Sequence, residues 1–212
     1  MQILGRADSS NVQAVMWGAA ELGLSPERLD YGHRFGGNDT PEFLAMNPEG
    51  KVPVLRDGDL VLWESCAILR YLAARYGDGG PFWPADPVER ARVDQWAEWA
   101  KVELALGFTM PIFWAHVRVD PATRDEPALE RATAAHLKRC DLMEARVSRH
   151  AHIGGEAFSL ADVIAGHLLY RHDALGLPMG PAMRAYYGRL TERAPFRDHV
   201  MVSFDALKHP NL

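Results

Sequence analysis

Three short stretches carry side chains whose types and spacing could do chemistry. Ser9-Ser10-Asn11 stands directly ahead of an apolar pattern at helical spacing. Two hydroxyls and an amide at a helix start are donors to an anion beside the positive end of the helix dipole. The same residue types also serve as plain caps. Glu64-Ser65 stands where an apolar run gives way to a second helical pattern, and the same two readings apply. The third stretch is Lys51-Val52-Pro53-Val54, a proline inside an apolar run. Proline has no N–H for a sheet ladder, so it belongs at an edge, a strand start or a bulge, or follows a cis bond. Lys51 beside it is a cation for an anionic ligand or a solvated surface lysine. His150-Ala151-His152 offers two imidazoles, but no cysteine or third ligand stands near them in sequence, so a solvated helix end is expected rather than a metal site.

The elements that must position these groups follow from periodicity. Met1 to Leu4 is a short apolar strand closed by Gly5. Ser9 to Gly23 is a helix that Asn11 could cap, with Val12, Val15, Met16, Ala19 and Leu22 at helical steps. Leu29 to His33 reads as a second strand, and Pro41 to Leu44 as a short helix. Val52 to Leu55 and Leu60 to Trp63 flank Arg56-Asp57-Gly58-Asp59, which is a hairpin signal. Glu64 to Tyr76 is a helix with Ile68, Leu69, Leu72 and Tyr76 on one face. The order βαβ then αββα makes an α/β unit over residues 1–77. Gly- and Pro-rich residues 78–86 read as a linker.

From 87 to 212 the pattern is helical throughout. Pro87 to Arg118 forms one long stretch, with Val93, Trp96, Ala100, Leu104, Met110, Phe113, Trp114 and Val117 at three- and four-residue steps and Pro111 as an expected kink. Trp96 and Trp99 are expected inside the bundle. Glu126 to Ser148 is a second long helix. Ser159-Leu160-Ala161-Asp162 is a capping box whose loss should cost roughly 0.5–2 kcal/mol. Shorter helices are expected over Pro181–Arg193 and Pro195–Ala206. The 212 residues are 48% hydrophobic with a net charge of −5, which allows a sizeable core and gives no footprint for nucleic acid or an anionic membrane. No apolar run is long enough to span a membrane, and the first residues lack a signal-peptide pattern. Cys66 and Cys140 are far apart, form no CxxC pair, and read as reduced structural thiols of a cytosolic protein.

Taken in order, Gly50-Lys51-Val52-Pro53-Val54-Leu55, then Trp63-Glu64-Ser65 with Ala67-Ile68-Leu69-Arg70-Tyr71-Leu72-Ala73, then Phe158-Ser159-Leu160-Ala161-Asp162-Val163, resemble the cytosolic glutathione S-transferase family. The resemblance spans essentially the whole chain. It implies an α/β thioredoxin-like N-terminal domain with a mixed four-stranded sheet, and an all-α C-terminal helical bundle. It implies a cis bond at Val52–Pro53, so that the Val52 backbone pairs with glutathione as an added strand. It assigns the γ-glutamyl carboxylate to Ser65, the ligand's ammonium group to Glu64 and the glycyl carboxylate to Lys51. Asn38 falls where relatives often carry a polar or basic contact.

Family chemistry needs the glutathione thiolate, because the thiolate is the nucleophile. Tyr-type activation is absent, since no Tyr precedes Tyr31, and a Cys-type mixed disulfide is not expected, since no Cys precedes Cys66. That leaves Ser9, then Asn11, then Ser10, with Val15 as the register point that places Ser9 where serine-type members hold the sulfur donor. Arg6 and Asp8 add charge beside it. Met110, Phe113 and Trp114 are the expected wall for an apolar electrophile. The implied activity is conjugation of glutathione, as co-substrate and without a metal, to that electrophile. Peroxide or disulfide reduction, isomerisation or dehalogenation share the activation step, and a non-catalytic carrier is the rival reading. A cytoplasmic homodimer is the family expectation.

Overall fold

The computed structural model describes residues 1–210. Strand β1 (Gln2–Leu4) lies at the centre of a four-stranded sheet in the order β2-β1-β3-β4. It pairs in parallel with β2 (Glu27–Leu29), which requires the crossover helix α1 (Ser10–Glu21) between them. It pairs antiparallel with β3 (Val54–Asp57), and β3 closes a hairpin with β4 (Leu60–Trp63). Gly58 takes the positive φ of 59° that this turn requires. Helix α2 (Pro41–Met46) precedes β3, and α3 (Ser65–Tyr76) follows β4. The Val52–Pro53 bond is cis, as the resemblance implies.

Three boundaries differ from the sequence reading. β2 is Glu27–Leu29, not Leu29–His33, because β1 offers only three rungs, Gln2, Ile3 and Leu4. Beyond them Gly32, at φ 81°, turns the chain into a short 3-10 turn at His33–Phe35. β3 begins at Val54, after the proline, which cannot donate to the ladder. Asn11 lies inside the first turn of α1, and the cap position falls to Ser9.

The helical part begins at α4 (Pro87–Trp99), capped by Asp86 Oδ1, which accepts from the N–H groups of Val88 and Glu89 at 2.9 Å each. The expected single helix then widens. π turns cover Ala100–Ala105 and Thr109–Phe113, separated by α5 (Leu106–Phe108) and followed by α6 (Trp114–Val117). Pro111 sits in the second π segment, one of the arrangements that accommodates a residue without an N–H. α7 (Glu126–Val147), α8 (Leu160–Gly166), α9 (Leu169–Ala174) and α10 (Pro181–Thr191) complete the bundle. The last expected helix is split into α11 (Ala194–His199) and a 3-10 turn at Asp205–Leu207.

The two parts are bolted together through α1. Fully buried Trp17 packs on Phe158 and Phe196, and its Nε1–H donates to Glu21, whose carboxylate also takes Arg193 at 2.7 and 2.5 Å. Arg70 of α3 reaches Asp94 and Glu98 of α4.

Asp162 does more than close a capping box. Fully buried, its carboxylate accepts from the Ile153 and Ser159 N–H groups, the Ser159 hydroxyl and the Tyr186 hydroxyl, at 2.8–2.9 Å. His152 also faces it at 3.3 Å and packs on Phe158 and Tyr186, so it is a partly buried structural residue and not a solvated end. The cost expected from the sequence is therefore too small. Asp162→Ala strands four buried donors and should lower the unfolding free energy by about 3 kcal/mol or more, measured by urea denaturation. A loss within roughly 0.5–2 kcal/mol would return Asp162 to a simple cap.

Both cysteines are free and buried. Cys140 lies in a buried polar cluster with His136 and His172, their donor atoms within 4.8 Å of one another. His172 Nε2 donates to the Pro178 carbonyl at 3.1 Å, and its Nδ1 faces His136 Nε2 at 3.1 Å. Burial holds His136 down to about 4 and pushes the Cys140 thiol up to about 12. A histidine with a depressed folded pKa leaves the unfolded chain the better proton binder, so stability is full above pH 6.5 and falls as pH drops toward 4. Denaturation at pH 7 and pH 5 should show this loss, and His136→Asn should lessen it, the remainder coming from His172 and His167, which burial also lowers. An unchanged pH slope in the variant would contradict the assignment.

Candidate active site

β1 is followed by Gly5, where the backbone passes so close to α1 that a Cβ would meet Val12 Cγ2 at 2.4 Å. The chain then turns through Arg6-Ala7-Asp8, with the Ser9 N–H donating to the Arg6 carbonyl at 3.2 Å. Ser9 holds an extended conformation (φ −85°, ψ 122°) at the N-terminus of α1, and its hydroxyl makes no capping hydrogen bond. No acidic residue occupies the first turn of α1, and the Asp8 carboxylate just before it is taken up by Arg6 and Arg34. Ser9 is thus the cap by backbone position, while its hydroxyl is left without a capping partner.

Ser9, Ser10 and Asn11 line a cleft of about 610 Å³ between the sheet and the helical part. Asn38, Lys51 and Val52 line its sheet side. Asn38 donates to the Gly50 carbonyl at 2.6 Å, and buried Asn47 donates to the Lys51 carbonyl at 2.7 Å, so two amides shape the loop before Pro53. Among the described residues the Val52 N–H and C=O make no hydrogen bond, leaving a main-chain rung for a ligand. Lys51 is exposed beside Glu49.

Glu64, Ser65 and Pro53 do not line this cleft directly. Ser65 is the first residue of α3, and its hydroxyl donates to Asn11 Oδ1 at 3.3 Å. Lys101 donates to the same Asn11 oxygen at 3.0 Å and to Ser65 Oγ at 3.3 Å, which joins Ser65 to the cleft. Glu64 is exposed at φ 70°.

Ala105, Leu106, Thr109, Met110, Trp114 and Arg118 form the facing wall. Met110 and Trp114 stand where the sequence places them, but Phe113 does not. It is fully buried against Phe108, Trp114, Phe204 and the guanidinium of Arg171. The π turns explain the difference: the cleft stripe runs 101, 105, 110, 114, 118, at four- and five-residue steps, so three-and-four spacing selects the core face.

The cleft is strongly cationic. Arg6, Lys51, Lys101 and Arg118 line it, and among the described residues no carboxylate does. Asp8 lies behind this surface, bound to Arg6 at 3.1 Å and Arg34 at 2.5 Å. Burial draws the Arg6 pKa down, against the opposing pull of Asp8. Burial and then the Arg118 and Arg6 charges lower His33. His167, buried and beside Lys101, is held down to about 3, with its Nδ1–H on the Ile164 carbonyl at 2.8 Å, so it is neutral near pH 7. Sequence reasoning missed Lys101, Arg118, His33 and His167. The signal for the first two was their shared stripe with Met110 and Trp114, readable only at π spacing.

This arrangement can hold a small anionic molecule across a free backbone rung and set its reacting atom at the start of α1. The family model described as glutathione S-transferase, N-terminal domain, matches residues 1–74, and that described as glutathione S-transferase, C-terminal domain, matches 103–194. The chain is 37% identical over 206 residues to glutathione S-transferase GstB of Escherichia coli, covering 93% of this chain and 96% of that protein. It is 31% identical to glutathione S-transferase F10 of Arabidopsis thaliana, covering 84% and 86%. The theta class glutathione S-transferase of Xanthomonas axonopodis pv. citri, solved with glutathione bound, superposes with a TM-score of 0.89 at 37% identity, over 95% of this chain and 97% of that one.

Proposed function

The chain belongs to the glutathione S-transferase family and is a glutathione transferase; on that premise we propose that Ser9 supplies the hydroxyl that activates the glutathione thiol. The observation that carries this is the Ser9 hydroxyl, without a capping partner, at the N-terminus of α1 and lining the cleft. A free thiol has a pKa near 8.5, and each unit of lowering corresponds to about 1.4 kcal/mol of preference for the thiolate. A hydroxyl donor, the helix N-terminus and the Arg6 and Lys101 charges all favour the anion. Asn11 is the next candidate, although its Oδ1 already accepts from Lys101 and Ser65. Ser10 follows, one residue inside the helix.

The remaining contacts follow from charge and free backbone groups. The Val52 rung pairs with the cysteinyl backbone of glutathione. Ser65, at the start of α3, takes the γ-glutamyl carboxylate together with Lys101, while Glu64 meets the ammonium group. Lys51 and Asn38 face the glycyl end. The electrophile docks against Leu106, Met110 and Trp114.

A cytoplasmic homodimer completes the proposal. Leu60, Val61 and Trp63 leave apolar surface exposed along edge strand β4, which supports a partner there. Sedimentation at micromolar concentration should give twice the chain mass, and a monomer would refute it.

Ser9→Ala should raise the pKa of the bound thiol by about one unit or more, read from thiolate absorbance across pH. It should also lower kcat/KM below that pKa by about tenfold. A normal thiol titration in Ser9→Ala with a raised one in Asn11→Ala or Ser10→Ala would move the donor. In the same assays Lys101→Met should weaken glutathione binding by about tenfold, the equivalent of one charge-assisted hydrogen bond. Unaltered binding would remove Lys101 from the ligand contacts.

A further inference from the structure

The lining of the cleft disagrees with a purely apolar second substrate. Of its permanent cations, Lys51 and Lys101 are assigned above to the two carboxylates of glutathione, and Arg6 is paired with Asp8 at 3.1 Å. Arg118 remains. Its guanidinium carbon lies 3.6 Å from the centre of the Trp114 ring, on the wall reserved for the electrophile. Among the described residues no carboxylate lies within ion-pair distance of it. Asp8, which exerts the opposing pull on Arg118, already receives Arg6 and Arg34. A guanidinium stacked on an indole loses little further freedom on binding and keeps its planar fork for a bidentate partner.

We propose that the electrophile carries a carboxylate, and that Arg118 holds it over Trp114 with the reactive carbon turned toward Ser9. This rests on the Ser9 reading of the thiolate. In solution an anionic electrophile and an anionic thiolate repel, so a fixed cation beside the bound electrophile removes a barrier that a neutral electrophile never meets. For a haloalkanoate the step balances simply. The glutathione proton leaves to solvent when the thiol ionises. The sulfur pair forms a C–S bond, the C–halogen bond breaks, and the halide departs with its electrons. The carboxylate is unchanged and ends in the conjugate.

The test compares iodoacetate with iodoacetamide, which share the reactive carbon and the leaving group and differ in charge. For each, kcat/KM is divided by the uncatalysed rate constant with glutathione at the same pH. The native enzyme should favour iodoacetate in this ratio by about tenfold or more. Arg118→Gln should erase most of that preference, Arg118→Lys should keep part of it, and added salt should reduce it. Equal enhancement of the two reagents by the native enzyme would overturn the inference and leave the Ser9 reading intact. So would an equal fall for both in Arg118→Gln, because then the arginine serves only the thiolate. Failure to enhance either reaction would overturn the inference and the Ser9 reading together.

Discussion

The cleft depends on one buried arginine. Arg171 of α9 is 2% exposed, and its Nη2 donates to the Asp8 carbonyl at 2.7 Å, one residue before Ser9. Its guanidinium also covers the Phe113 ring at 4.3 Å. Burial, then the repulsion of Arg6, pulls its pKa down to about 9, still above neutrality, so the charge persists. The sheet part supplies Ser9 and the helical part supplies the opposing wall. Chemistry between groups on two bodies requires their separation to be fixed closely. Arg171 fixes it by binding the main chain of one body and packing against the wall helix of the other. Asp8 is the partner that makes this bearable: its carbonyl takes Arg171 while its carboxylate takes Arg6 and Arg34.

The wall helix solves a second geometric problem. A regular α-helix presenting Trp96, Ala100 and Leu104 to the core would carry its cleft-facing side chains steadily around the axis. Two π segments slow that drift, and Lys101, Met110, Trp114 and Arg118 stay on one stripe across four turns or so. Core and cleft faces are thus separated on one element. Phe113 goes inward to Arg171, and its neighbour Trp114 goes outward to Arg118.

Much of this was legible in the sequence where local rules govern. Apolar runs around a Gly-containing turn located the hairpin, helical patterns located α1, α3 and α7, and cap chemistry located Asp162. Ser9, Lys51 and Val52 stood at element ends, and all three line the cleft. What failed was non-local. β2 is defined by the rungs β1 has to offer, not by its own apolar run. Phe113 was misplaced because a single sequence does not announce a π turn. Lys101 meets Asn11 and Ser65 only because tertiary packing brings together residues 90 and 36 positions apart. His152 was read as solvated because Tyr186 and Phe158, which cover it, arrive from distant helices.

The charge pattern carries the argument further than any one contact. The chain bears a net charge of −5, yet among the described residues its cleft is lined by cations and by no carboxylate. The two longest helices, α4 and α7, open with Glu89 and Glu126 in their first turns, which offset the positive end of the helix. α1 and α3, which begin at the site, have no acid in the first turn. Local charge and global charge therefore oppose one another, and the cleft favours anions on a chain whose net charge does not. Glutathione uses part of that field through its two carboxylates and its thiolate. A cation in the electrophile wall exceeds what the tripeptide needs. Had Arg118 served only to balance a neighbour, a carboxylate beside it would have done so without competing for ligand. Its guanidinium instead lies over the Trp114 ring, and among the described residues no carboxylate pairs with it, which leaves it available to the second anion proposed above.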